Sequence, residues 1–215
     1  MLEEELGLDE EPQLEARYNI APTQAAPIVT DATPRKLTLA RWGLLPFWAK
    51  DVKIASKMIN ARSETLLEKP AFKDALEKRR CLVPCDGFYE WRRYGRQRTP
   101  MFIELPSHHV LAMAGLWSSW RSPEGLDVLT FTVITTRANA FMAPIHDRMP
   151  VFLDLEARTR WLSGPTKDTA ALVELLRPWH GEPLTALEVS AKVNSVEVDD
   201  PSCVEPAKTV QLSLL

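Results

Sequence analysis

The sequence predicts an α+β fold with a mainly antiparallel, barrel-like sheet and short helices, and three observations carry that prediction. Short runs rich in β-branched and aromatic residues cluster between Cys81 and Thr135 rather than alternating with helices, which favours this architecture over a doubly wound one. Turn chemistry such as Tyr94-Gly95 separates neighbouring runs. The helical patterns are few and short.

In order, Leu2–Leu6 reads as the end of a helix stopped by Gly7, with an acidic turn running on to Pro12. Arg17-Tyr18-Asn19-Ile20-Ala21-Pro22-Thr23 puts turn residues in an apolar setting and reads as an ordered loop. Ile28–Val29 and Lys36–Trp42 read as strands. The second sets Leu37, Leu39 and Arg41 on one face, and Thr38, Ala40 and Trp42 on the other. Ser63-Glu64-Thr65-Leu66 opens a helical stretch that continues over Ala71–Arg79 after Pro70, with Phe72, Ala75 and Leu76 as its apolar positions. Strands follow at Cys81–Val83, Gly87–Arg93, Met101–Leu105, Val110–Trp117 and Val128–Thr135. Short helices at Leu155–Leu162 and Thr169–Leu176 precede a late strand at Leu184–Val189. There is no internal repeat and no low-complexity segment.

A length of 215 residues suits a single domain spanning 1–215 with a real core. A net charge of −3 excludes a generally basic nucleic-acid coat, so any polyanion site must be a local patch. The cysteines Cys81, Cys85 and Cys203 are sparse and odd in number, as in a reduced cytoplasmic protein. Cys81 and Cys85 lack Cys-x-x-Cys spacing and have no nearby partner cluster, so neither a metal nor a cofactor is expected. No apolar run approaches the roughly 20 residues of a membrane span. The acidic opening Met1-Leu2-Glu3-Glu4-Glu5 is the reverse of a signal peptide. The expected setting is the cytoplasm.

Cys85-Asp86-Gly87-Phe88-Tyr89-Glu90-Trp91 places a carboxylate between two aromatic rings. On a strand Glu90 points away from the face shared by Tyr89 and Trp91. It is either an inward acid whose burial raises its pKa toward neutrality, or a solvated residue of an outer face. Asn60-Ala61-Arg62-Ser63-Glu64 sets an amide and a guanidinium two residues apart before a helix start. That suits a phosphate, or else Ser63 simply caps the helix and Arg62 is exposed. Pro144-Ile145-His146-Asp147-Arg148-Met149-Pro150 holds a histidine between two prolines, either to shuttle a proton or in a structural role. His108, His109 and His180 read as loop residues.

Trp42-Gly43-Leu44-Leu45-Pro46-Phe47-Trp48 offers two indoles, which either fill the core or stack on unpaired bases. Arg92, Arg93, Arg96 and Arg98 form a local basic run, either a solvated hairpin or a track for a phosphate backbone.

Together these segments resemble the SRAP family, named for the SOS-response-associated peptidase and including abasic-site processing proteins. The resemblance rests on Arg17–Thr23, Trp42-Gly43-Leu44-Leu45-Pro46, Asn60–Glu64, Arg80-Cys81-Leu82-Val83-Pro84, Asp86–Trp91 and Ile145–Pro150. Val189-Ser190, Val193-Asn194 and Asp199-Asp200-Pro201 extend it late in the chain. It implies a protein that recognises abasic sites in single-stranded DNA. The family's nucleophile is a cysteine directly after the initiator methionine, exposed by autocatalytic removal of that methionine. Its amine and thiol condense with the ring-opened sugar aldehyde to a Schiff base and then a thiazolidine, a self-processing peptidase and lyase-type crosslinking activity. By resemblance Glu90 moves protons, His146 assists ring opening, and Asn60 orients the amine. Arg62 and Arg148 hold phosphates, while Trp48 and Thr135 line the DNA channel.

Position 2 is Leu2, and no Cys-Gly-Arg precedes the Arg17 segment. The expectation is that this sequence begins late, without the family's first strand and cysteine. Crosslinking then belongs to a full-length form, and this chain binds DNA noncovalently. Cys81 and Cys85 cannot substitute, since neither has a free α-amine beside its thiol, and Cys81 reads as core. The rival readings are a peptidase acting on other proteins and a noncatalytic single-stranded DNA-binding remnant.

Overall fold

A computed structural model describes residues 2–164 and 166–207. The chain opens with helix α1 (Leu2–Leu6), ended by Gly7 at φ +62°. Strands β1 (Ala25–Thr30) and β2 (Thr33–Trp42) form an antiparallel hairpin. After a 3₁₀ turn at Val52–Lys57 come the short strand β3 (Asn60–Arg62) and helix α2 (Pro70–Lys78), which has Pro70 in its first turn where no N–H is needed. Strands β4 (Arg80–Cys85), β5 (Gly87–Tyr94), β6 (Gln97–Glu104), β7 (Leu111–Arg121) and β8 (Asp127–Arg137) follow. The rest comprises strand β9 (Arg148–Pro150), helices α3 (Leu155–Trp161) and α4 (Thr169–Val173), and strand β10 (Thr185–Glu188).

The order β2-β1-β4-β7-β8 closes on itself, because β8 returns to β2 through parallel pairs Arg41–Thr130 and Trp42–Phe131. Closure leaves these five strands without a free edge. The period of two then splits their side chains between two clusters. Val29, Leu82, Ala114 and Leu116 pack with Phe72 and Leu76 of α2 and with Trp161 of α3. Ile28, Val83, Met113 and Phe131 pack instead with Met101 and Ile103 of a second, three-stranded sheet, β10-β6-β5. Among the described residues no helix is long and apolar enough to cross a membrane.

Beneath the helices lies a buried ion pair. Arg80 is fully buried and donates to the carbonyls of Leu76, Glu77, Trp161 and Gly164, tying β4 to the ends of α2 and α3. Its guanidinium stands 3.8 Å from Asp31, which also accepts from the Trp117 indole at 2.8 Å.

The sequence did not reveal β3 and β9. Each has three residues and exists because β8 pairs with it, a nonlocal cause that leaves no periodicity to read. Ser63 is buried and caps nothing, since the 3₁₀ turn at Ser63–Thr65 has Arg62 at its N-cap with no side-chain bond.

Candidate active site

Glu90 owes its direction to the back of its own strand. At the start of β5 any side chain on Gly87 would collide with the Phe102 ring and the Ile103 carbonyl, so only glycine lets the strand lie this close to β6. From there the side chains alternate. Tyr89 donates its hydroxyl to the Tyr18 carbonyl at 2.7 Å, and the Trp91 indole donates to Asn194 at 2.7 Å. Both rings pack with Val189, Val193 and Cys203, so Glu90 is forced to the opposite face.

The loop behind those rings is itself fastened. Asp199 accepts the N–H groups of Tyr18 at 2.6 Å and Asn19 at 2.8 Å and pairs with Arg17. The buried Asn19 amide donates to the carbonyls of Val193, Ser195 and Val198. Burial alone would raise the Asp199 pKa, but these N–H donors and Arg17 outweigh it and hold the carboxylate below its usual range. In the same loop Thr23 adopts φ +74°, a strained conformation for a β-branched residue.

On the open face, His146 Nδ1 stands 3.9 Å from Glu90 Oε1 and 3.4 Å from Asp147 Oδ1. Nδ1 faces both the Arg148 N–H at 3.0 Å and the Arg148 carbonyl at 3.2 Å, which holds the ring against that backbone. Burial raises the Glu90 pKa above its ordinary value. The His146 charge and the Trp91 N–H pull it partly back, and Asp147 adds to the rise. The Glu90 side chain nonetheless remains 24% exposed and the His146 side chain 30%, so both can be reached from solvent.

The strand β8 lies between β3 and β9 and brings the remaining candidates alongside. Asn60 pairs with Val133 and Arg62 with Thr135, while Arg137 pairs with Arg148 across the other edge. Ala61 is buried, so Asn60 and Arg62 project outward, and both are exposed. Thr135 is only 9% exposed. Arg148 donates to the Thr135 carbonyl at 2.6 Å and to its hydroxyl at 3.2 Å. It also grips both oxygens of Glu64, at 2.8 and 3.0 Å. That bond, stronger than the desolvation opposing it, holds the Glu64 carboxyl below the usual range. A phosphate at Arg148 therefore competes with Glu64.

The two indoles divide. Trp42 stacks on Phe131 and donates to the Ile59 carbonyl, so it is core. Trp48 is 54% exposed and, with Phe47, borders a crevice against Pro70 and Ala71 of α2. It shares no described contact with Glu90 or His146. The thiols offer no nucleophile: burial pushes Cys81 and Cys85 far above the ordinary thiol value, with Asp31 and Asp86 respectively adding to it. Cys203 is buried. Among the described residues no group of His, Cys, Asp and Glu has the arrangement of a metal site. Sequence reading assigned no role to Tyr18, Glu64, Asn194 or Asp199. Their partners lie up to 182 residues away, which leaves no local pattern to read.

The profile of the SOS response associated peptidase (SRAP) family matches residues 1–196. The chain belongs to the SRAP family. The abasic site processing protein YoqW of Bacillus subtilis is 45% identical over 190 residues, spanning 87% of this chain and 85% of that relative. The abasic site processing protein HMCES of Gallus gallus is 35% identical over 222 residues, spanning 88% of this chain and 66% of its own. A crystal structure of a protein from Bacteroides thetaiotaomicron superposes with a TM-score of 0.76 at 32% identity, over 86% of this chain and 82% of that one. A second, from Bordetella bronchiseptica, gives a TM-score of 0.76 at 25% identity, over 88% and 94% of the two chains. The α+β barrel is thus shared with solved relatives, and the SRAP segments at Glu90, His146 and Arg148 meet at one surface of it.

Proposed function

We propose that this SRAP protein processes abasic sites in single-stranded DNA, using the surface between β3, β5 and β9. The observation that carries the reading is the Glu90–His146 approach at 3.9 Å. It brings a carboxylate of raised pKa beside an imidazole whose neighbour Arg148 bonds Thr135, the β8 residue that pairs with the exposed Arg62 of β3. Relatives named for abasic-site processing support it.

In this reading Arg62 takes a phosphate, joined by Arg148 where the strand displaces Glu64. Trp48 stacks on a neighbouring base, and Thr135 acts from beneath by holding Arg148. His146 assists opening of the sugar to its aldehyde, and Glu90 carries the proton that moves.

Covalent capture belongs to a form bearing an N-terminal cysteine after methionine removal. Its amine, with a pKa near 8, adds to the aldehyde carbon, and water leaves with a proton supplied by Glu90. The thiol sulfur then adds to the imine carbon, its proton passing to the nitrogen, and the thiazolidine closes. Asn60 orients the amine.

The test is fluorescence anisotropy on labelled single strands with and without one abasic site. Preferential binding of the abasic strand, weakened by Arg62→Ala, is expected. Equal affinity for both strands would remove the abasic reading.

A further inference from the structure

The β5–β6 hairpin carries Arg92, Arg93, Arg96 and Arg98, four arginines in seven residues with no acid among them, on a chain of net charge −3. Gly95 at φ +58° makes the tight turn, and every residue from Arg92 to Arg98 is exposed. Arg92 is neutralised by Glu188 at 3.0 Å. The others are not: Arg93 and Arg98 stand directly opposite each other in the ladder, and among the described residues neither they nor Arg96 has a salt bridge. Like charges placed opposite on a sheet destabilise it. Such a pair is relieved by an anion lying across both strands.

The hairpin is continuous with the site. Arg93 lies three residues beyond Glu90 on the same strand, roughly 10 Å away, or about three nucleotides of a stacked strand. Its odd offset puts it on the opposite face, so a DNA strand reaching both must round the edge that β5 forms. The charge of Arg93 already acts on the Glu90 carboxyl, lowering its pKa behind the larger effects of burial, His146, the Trp91 N–H and Asp147. Tyr94, at the tip, is 86% exposed, an aromatic surface beside the cations.

We propose that Arg93, Arg96 and Arg98 form a second contact, gripping the phosphodiester backbone of the same DNA strand a few nucleotides to one side of the abasic site. The inference rests on the reading given under Proposed function, and it fixes how the strand leaves the site. Charge complementarity selects the partner, and the hairpin's position selects which part of the strand it meets.

The experiment uses the full chain and three single strands with one stable abasic analogue. One is a minimal strand, one is extended about six nucleotides 5′ and one about six nucleotides 3′, roughly 20 Å of reach each. Binding is measured as a function of salt for the wild type and for Arg93→Gln/Arg96→Gln/Arg98→Gln. The triple variant is expected to lose about 2 from the logarithmic salt slope and roughly tenfold in affinity on one extended strand only. On the minimal strand the two proteins should bind alike. Equal slopes on all three strands, with wild-type binding intact, would overturn the hairpin contact and leave the abasic reading standing. No binding by the wild type would overturn both. Arg96→Gln alone, at an exposed turn, covers the case in which the triple variant does not fold; it should lose about 0.7 from the slope on the same strand, and an unchanged slope there would overturn the proposal.

Discussion

His146 Nδ1 and Glu90 Oε1 stand 3.9 Å apart, too far for a hydrogen bond and close enough for each to sense the other's charge. The two groups come from separate elements. Glu90 is aimed by the rings on the back of its strand, and His146 is fixed by the Arg148 N–H. The charge on His146 therefore bears on the Glu90 carboxyl.

Because burial raises the Glu90 pKa and the His146 charge opposes the rise, His146→Gln should push Glu90 higher still. Carbon NMR of the labelled Glu90 carboxyl should show its midpoint at a higher pH in the variant. An unmoved midpoint would mean that the pair is not coupled.

The same shift fixes a stability trend. Below the ordinary glutamate value near 4.5, Glu90 is protonated whether the chain is folded or not. As the pH rises past 4.5, the unfolded chain ionises first, so wild-type stability falls relative to Glu90→Gln until the folded pKa is passed. Melting temperatures across pH 4 to 8 (roughly the range of a raised carboxylate) should diverge in that direction. Parallel curves would contradict a raised Glu90.

Asp199 has the opposite sign. Its pKa is held below the ordinary 3.8, so its contribution is present above that value and is lost as the pH falls through the folded pKa. Asp199→Ala should unfasten Tyr18 and Asn19, lower stability at neutral pH and flatten the acid limb of the stability profile. In a form bearing the N-terminal cysteine it should also slow crosslinking, since the loop it holds braces Tyr89. A variant with normal stability would show that the fastening contributes nothing.

Arg80→Ala removes the donor to four carbonyls and leaves Asp31 buried. A loss of about 3–5 kcal/mol is expected from urea denaturation. Arg80→Met/Asp31→Asn should recover part of it. A loss within 0.5 kcal/mol (about the scale of a surface change) would show that the pair is dispensable.

How much of this was legible in the sequence depended on range. The long strands announced themselves by alternation, and the Tyr89-Glu90-Trp91 order alone was enough to place Glu90 opposite its neighbours. Asn60 and Arg62 were placed just before a helix start, but the strand that carries them was not legible, because it exists only where β8 pairs with it. Glu64 was read as part of a helix start, although its carboxylate serves Arg148 from 84 positions away. Contacts of that range leave no local pattern. The two indoles were read as either core or base-stacking residues, and the structure leaves Trp48 exposed beside Phe47, Pro70 and Ala71.

The most direct test of the central claim is a denaturing-gel assay on single-stranded DNA with one abasic site. It compares the chain as given with a version extended to begin Met-Cys-Gly-Arg, each with and without Glu90→Gln. A shifted band for the extended form, formed more slowly with Glu90→Gln and absent for the chain as given, is the predicted result. No band from the extended form, or a rate indifferent to Glu90, would contradict the roles assigned to Glu90 and His146.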